Sequence, residues 1–348
     1  MPPLPGSLAS GGPSGGPRGI GWRRWFLGLL VVAALTGAVL RFGEIENFGR
    51  LVMRARPAWL GLAFLLQLST YASVATGWKI VLRRAGTPRR LAPLMRIAVT
   101  KLFADQAMPS AGMGGNVLLV DQLTALGVPR GTAVAALLVS MLGYYAAYAM
   151  LALVMLLLLW LHDKATPLMV GLVTTFLLVA LAIPSLALWL RHRGSQPLPS
   201  RLEGIGIVRS LLDTVGEAPV RLIADRSLLL RVGACNGLVF LTDAATLLVC
   251  LLALGQPAGF GTAFIALVMA SIVVTLGPIP LGLGSFEATS TATLRLLGVP
   301  IEAAFTATML FRLLTLWLPL LPGLFLMRAF LWRPHHDRFP REDAGSPR

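Results

Sequence analysis

Pro280-Leu-Gly-Leu-Gly-Ser-Phe-Glu287, followed by Leu297-Gly-Val-Pro300, decides the reading of this chain because it has a counterpart. Pro109-Ser-Ala-Gly-Met-Gly-Gly-Asn116 is followed by Leu126-Gly-Val-Pro129, and the distances Pro109–Gly127 and Pro280–Gly298 are both 18 positions. Each Pro/Gly cluster interrupts an apolar segment, and each Leu-Gly-Val-Pro leads into a long apolar run. A duplicated, broken hydrophobic element points to a site built at the interface of two repeats.

The surroundings of these clusters define a membrane chain. Of 348 residues, 56% are hydrophobic and 13% charged, with a mean hydropathy of +0.76. Soluble domains carry about a quarter charged residues. A crossing helix needs about 20 mostly apolar residues. Six segments meet or approach that: Trp25–Leu40, Ala58–Trp78, Thr132–Leu161, Leu168–Leu190, Leu228–Leu254 and Ala303–Met327. Leu91–Leu126 and Gly261–Leu297 are cut by the Pro/Gly clusters into a longer first arm and a second arm of about a dozen residues. Such an arm rises only about 18 Å, too little to cross. The expected fold is therefore all-α and polytopic, with six transmembrane helices and two re-entrant hairpins.

Charge orients it. With both hairpins non-crossing and the N-terminus cytoplasmic, the cytoplasmic segments hold 20 Lys and Arg and the external loops 5. That asymmetry obeys the positive-inside rule. The first hairpin then enters from the cytoplasm and the second from outside, an inverted repeat whose tips are expected to meet near the midplane around a polar cavity. The expected layout is a disordered cytoplasmic tail (1–20), a membrane domain (21–328) and a cytoplasmic tail (329–348). The membrane domain has halves 21–190 and 228–328 joined by linker 191–227, in which Ile205–Val220 reads as an amphipathic surface helix or a solvated linker. Arg18, Arg23 and Arg24 resemble a signal-peptide start, but Arg41 follows the first apolar run and no cleavage site is evident, so an uncleaved helix is expected.

Several functions are disfavoured. The net charge of +15 is spread between apolar segments rather than gathered on a soluble face, so no nucleic-acid partner is expected. Cys235 and Cys250 lie in one apolar segment without disulfide or metal spacing. His162, His192, His335 and His336 fall in loops or tail, and no Gly-x-Ser-x-Gly elbow, acidic metal-binding cluster or Gly-Lys-Ser/Thr phosphate loop is present. The chain is expected to be no enzyme and to hold no cofactor or metal.

Intramembrane charges are costly and mark candidate sites. Lys101 and Asp105 are four apart, one above the other on a helix face. They read as a contact for lipid phosphate and a cationic group, or as an internal ion pair. Glu287 follows the second glycine cluster, where a helix N-terminus favours an acid. Arg312 lies too deep in the last crossing to snorkel easily and needs an acidic or carbonyl partner: Glu287 is the first expectation and Asp243 the second. Arg312 is also the planar, permanently charged donor that phosphodiester recognition favours, so headgroup binding and a structural pair both stay open. Pro109, Gly112, Gly114, Gly115, Asn116, Pro280, Gly282 and Gly284 form the two turns; their glycines permit positive φ and close approach of chain or ligand, and successive N–H groups there make an anion-binding concavity.

Gly277-Pro-Ile-Pro-Leu-Gly-Leu-Gly-Ser-Phe-Glu287, Leu297-Gly-Val-Pro300, Leu310-Phe-Arg312, Leu316-Trp-Leu-Pro319 and Gly323 resemble the membrane domain of the lysylphosphatidylglycerol synthase/flippase family. Pro109–Asn116 resembles its first hairpin more loosely: basic residues common after that cluster are replaced here by Asn116, Asp121 and Gln122. The resemblance implies a bacterial inner-membrane protein that moves or handles lipids, with Pro280, Gly282, Gly284, Glu287 and Arg312 at matching positions. Only about twenty residues follow Met327, so it implies a flippase-like domain without the soluble aminoacyl-transferase domain. The expected partners are a polar-headed membrane lipid and the bilayer. A small-solute transporter using Asp105, Asp243 or Glu287 as coupling groups is a second reading. A non-catalytic partner of a membrane enzyme is a third, and a second copy of the chain is a further partner class.

Overall fold

The computed structural model describes residues 55–107, 113–163, 165–192, 219–277 and 282–317, all within a compact unit that starts at Leu51. Every secondary-structure element among them is helical. In order they are α1 Pro57–Arg84, α2 Leu91–Ala107, α3 Met113–Ala125, α4 Arg130–Leu161, α5 Pro167–His192, a turn of helix α6 Val220–Ile223, α7 Arg226–Ala253, α8 Phe260–Leu276, α9 Ser285–Leu296 and α10 Ile301–Arg312. A π-helical turn, Leu313–Trp317, follows α10 directly. Three helices, α1, α4 and α7, are long and apolar enough to cross a membrane; α8 and the Pro167–Ala182 part of α5 are shorter apolar helices. The expected first span, Trp25–Leu40, positions 205–218 of the amphipathic candidate Ile205–Val220 and the end of the last span, 318–327, lie outside the described residues, as do both tails; Val220 opens α6.

The repeat is visible in element lengths. Helix α1 and its counterpart α7 are both 28 residues long. Their hairpins have arms of 17 and 13 residues (α2, α3) and of 17 and 12 (α8, α9). The junctions repeat too. Gly86 and Gly255 end the long helices with φ of 77° and 73°, and Gly127 and Gly298 end the hairpins with φ of 76° and 98°. Positive φ is the left-handed conformation that closes a helix and that glycine adopts without a Cβ penalty. The two Leu-Gly-Val-Pro motifs are thus helix stops, each followed by a Pro that sits at the N-cap of the next helix.

Each broken stretch folds back on itself, with α2 packed on α3 and α8 on α9. At the base of the first hairpin, Arg89 just before α2 donates from Nε to the Leu126 carbonyl at 3.0 Å and from Nη2 to the Gly127 carbonyl at 2.8 Å. Its two ends therefore meet.

The repeats are joined by α1 and α7, which run antiparallel. The Arg56 N–H donates to the Ala253 carbonyl at 3.0 Å, Ser73 Oγ to the Cys235 carbonyl at 3.0 Å, and Arg84 Nε to Asp225 Oδ2 at 2.9 Å. Asp225 also caps α7, its Oδ1 accepting from the Leu228 N–H at 3.1 Å. That hydrogen bond, and then Arg84, hold its carboxyl below the ordinary value of 3.8. Residues beyond the expected span Ala58–Trp78 and at the end of the expected linker 191–227 extend the helices instead. Arg83 and Arg84 complete the last turn of α1, where cations suit the helix dipole, and Arg226 opens α7 behind its Asp cap. Helix α4 crosses α7 where glycines meet: a Cβ on Gly143 would stand 3.0 Å from the Gly233 nitrogen. Small residues let membrane helices approach this closely.

The core comes in two clusters. One, around the first hairpin, gathers Trp78 and Leu82 of α1, Leu94, Leu119, Leu123, Val134 and Val139 of α4, and Val232 of α7. The other, around the second hairpin, gathers Ala63, Tyr148, Met155, Phe176, Leu247, Met269, Leu294 and Leu310. Along α1 the two are separated by Gln67, Thr70, Tyr71 and Ser73, all buried.

Candidate functional site

The second hairpin supplies the more deeply buried of the two intramembrane charged pairs. Gly282 and Gly284 turn the chain into α9 with φ of 62° and 82°. At Gly282 a Cβ would also overlap both γ-methyls of Val274 on α8, so conformation and packing both require glycine. Ser285 Oγ donates to the Gly282 carbonyl at 3.1 Å, steadying the turn. Glu287, in the first turn of α9, accepts the Gly284 N–H on Oε2 at 2.6 Å. Its other oxygen, Oε1, accepts from Arg312 Nε at 2.8 Å, and both side chains are nearly buried. The first expected partner of Arg312 is therefore the observed one. The Arg312 guanidinium carbon also lies 4.9 Å from the Phe286 ring centroid, and Phe286 stacks on Phe311 at 5.7 Å. A helix N-terminus, a cation and an aromatic face thus converge on one carboxylate. Beside them Ser290 and Thr308 hydroxyls are 3.0 Å apart, linking α9 to α10. Arg312 is the last α-helical residue before the π-turn, a backbone irregularity common at functional sites.

The first hairpin carries the second pair. Lys101 Nζ and Asp105 Oδ2 are 2.6 Å apart on α2, both partly exposed. The glycines opposite differ from the expectation of positive φ: Gly114 and Gly115 lie inside α3. Gly115 works by close approach instead. A Cβ there would collide with the Asp105 carboxylate and stand 2.8 Å from the Lys101 carbonyl, so the bare Gly115 seats α3 against the ion pair. Asn116 follows on the same first turn, half-buried. Pro109, Gly112 and Pro280 lie outside the described residues.

Asp243 is not the partner of Glu287's arginine. It lies on α7 within electrostatic reach of Tyr71 on α1 and Tyr144 on α4. Gln67, Tyr71 and Tyr144 were not singled out by sequence: one polar residue on each of several apolar helices carries no local motif. The described arms of the two hairpins share no extended interface; the first packs on α1 and α4, the second chiefly on α7 and α10 together with α4 and α5. The tips, where a meeting is expected, lie outside the described residues.

Long apolar helices, chain-reversing hairpins and a nearly buried Arg312–Glu287 pair define a multi-pass α-helical membrane protein. A family model described as the lysylphosphatidylglycerol synthase TM region matches residues 25–323, and the chain belongs to that family. This places it among membrane proteins of lipid metabolism or transport. No curated protein gives a match.

Proposed function

We infer that the protein is a flippase-like translocator, not an enzyme, that carries a polar-headed phospho- or glycolipid between leaflets. The observation that carries this reading is the Arg312–Glu287 pair at 2.8 Å, held at the hairpin turn by Gly284. An unpaired cation at membrane depth costs several kcal/mol. Paired with Glu287, it can remain charged inside the bilayer and meet a headgroup phosphate without reorganisation. Lys101, held by Asp105, is the cation that the first hairpin supplies, at a different position in its repeat. The two hairpins enter from opposite faces, so one cation serves each leaflet, and the acyl chains stay in the bilayer. Both termini are cytoplasmic in a bacterial inner membrane, as the distribution of Lys and Arg favours.

Purified full-length protein in liposomes containing headgroup-labelled anionic, zwitterionic or cationic lipid tests the reading. An impermeant quencher is expected to reach inner-leaflet label faster than in empty vesicles, with at least one headgroup class. Arg312→Ala should slow this about tenfold, the scale of one lost charge-assisted hydrogen bond. Rates equal to empty vesicles for all three classes overturn it.

A further inference from the structure

The described membrane region contains three acidic side chains at depth, and they are not equivalent. Asp105 faces Lys101 and Glu287 faces Arg312. Asp243 has no cation beside it among the described residues, and its Oδ1 is sealed without a hydrogen-bond partner. It lies about 5 Å from the middle of the 28-residue helix α7. The antiparallel contacts Arg56–Ala253 and Ser73–Cys235 place it level with Gln67 of α1.

That level holds further unsatisfied groups. Gln67 and Tyr71 are one turn apart on one face of α1, and both are buried. Gln67 and the Tyr71 hydroxyl are neighbours that make no well-formed hydrogen bond through Gln67 Oε1, and Asp243 Oδ1 has none either. On α1, Gln67 and Tyr71 fall between the two apolar cores, and Asp243 lies on α7 between Phe240 and Ala244 of the second core. Asp105 Oδ1 is unpartnered too, but Lys101 supplies its counter-charge, whereas no described cation offsets Asp243. A carboxylate enclosed at membrane depth without a counter-charge is costly, and one added proton removes that charge.

We propose that Asp243, with Tyr71 and Gln67, forms an intramembrane site that binds and releases one proton. The step is Asp243–COOH giving Asp243–COO⁻ and H⁺, the proton passing to water. The charged and titratable groups around it are few. Tyr71 on α1 and Tyr144 on α4 are within electrostatic reach; α1 also carries Lys79, Arg83 and Arg84, and α4 Arg130, Tyr145 and Tyr148. Helix α8 has no titratable residue, α10 carries Glu302 and Arg312, the latter on Glu287, and α6 carries Arg221. On α7 itself are Arg226, Arg231, Cys235 and Cys250. Resting on the flippase reading, proton occupancy of this seam between α1 and α7 couples the transmembrane proton gradient to headgroup movement between the two repeats.

Infrared difference spectroscopy across pH on the full-length protein in lipid, read at the carboxylic-acid carbonyl band, tests the site. A titrating band is expected that is absent in Asp243→Asn and insensitive to sodium. In Tyr71→Phe its midpoint should move by about one pH unit. If Asp243→Asn does not fold, the Tyr71→Phe shift decides alone. No titrating band, a band unchanged in both variants, or a band displaced by sodium overturns the proposal, the last in favour of a metal cation. The liposome assay run with an imposed pH gradient separates the two claims. A titrating site without lipid movement refutes the flippase reading only; lipid movement without such a site refutes this one only.

Discussion

Arg312 and Glu287, 25 positions apart, meet at 2.8 Å because the Leu297-Gly-Val-Pro300 stop reverses the chain and brings α9 and α10 side by side. Glu287 is already committed to the Gly284 N–H, so the cation is fixed to the turn itself. On the flippase reading, a headgroup that draws on Arg312 would act on the turn at Gly284.

Breaking that pair should be costly. Glu287→Gln or Arg312→Gln is expected to destabilise the protein by about 3 to 5 kcal/mol, since each leaves a buried partner without its counter-charge. The double variant should lose less than the two singles combined. Thermal unfolding in a fixed detergent, followed by tryptophan fluorescence, reads both.

The two glycines of the second turn should not be equivalent. Gly282→Ala meets both a positive φ and Val274, whereas Gly284→Ala meets the φ of 82° with open space around it. A loss of about 1 kcal/mol is expected at Gly284 and clearly more at Gly282. The same unfolding assay ranks them; the reverse order would contradict the packing described.

Gly115→Ala tests the first repeat. The added methyl must displace the Asp105 carboxylate or separate α3 from α2. Lipid movement should fall to the level of Lys101→Ala, and combining the two substitutions should add little.

Asp225 gives a pH dependence of known sign. Its carboxyl is held below 3.8 in the folded chain, so its contribution is present above that pH and fades as pH falls through the lowered folded value. Asp225→Asn keeps a capping side chain but removes the ion pair with Arg84. It should flatten the acid limb of the stability profile, while Asp225→Ala should in addition lower stability at neutral pH.

Much of this fold could be read in the sequence because the signals are local. Length and apolarity give α1, α4 and α7. The Pro/Gly clusters cut the hairpins, and Leu-Gly-Val-Pro marks helix stops. The partner of Arg312 followed from depth, since Glu287 is the acid a neighbouring turn can deliver. What could not be read depends on three dimensions. Gly114 and Gly115 belong to the Pro/Gly cluster by composition, yet both lie inside α3, with Gly115 packed against Asp105. The polar seam is assembled from Gln67, Tyr71, Tyr144 and Asp243 on three helices, and only the antiparallel register of α1 and α7 brings them level.

The central claim is that two like hairpins enter from opposite faces, and cysteine accessibility at their bases tests it most directly. In a chain with Cys235 and Cys250 replaced, single cysteines at Thr87, Pro129, Gln256 and Pro300 mark where each hairpin begins and ends. The account predicts that Thr87→Cys and Pro129→Cys react with an impermeant maleimide only after permeabilisation, and that Gln256→Cys and Pro300→Cys react in intact cells. Labelling of all four on one face, or of the two ends of either hairpin on different faces, would contradict it.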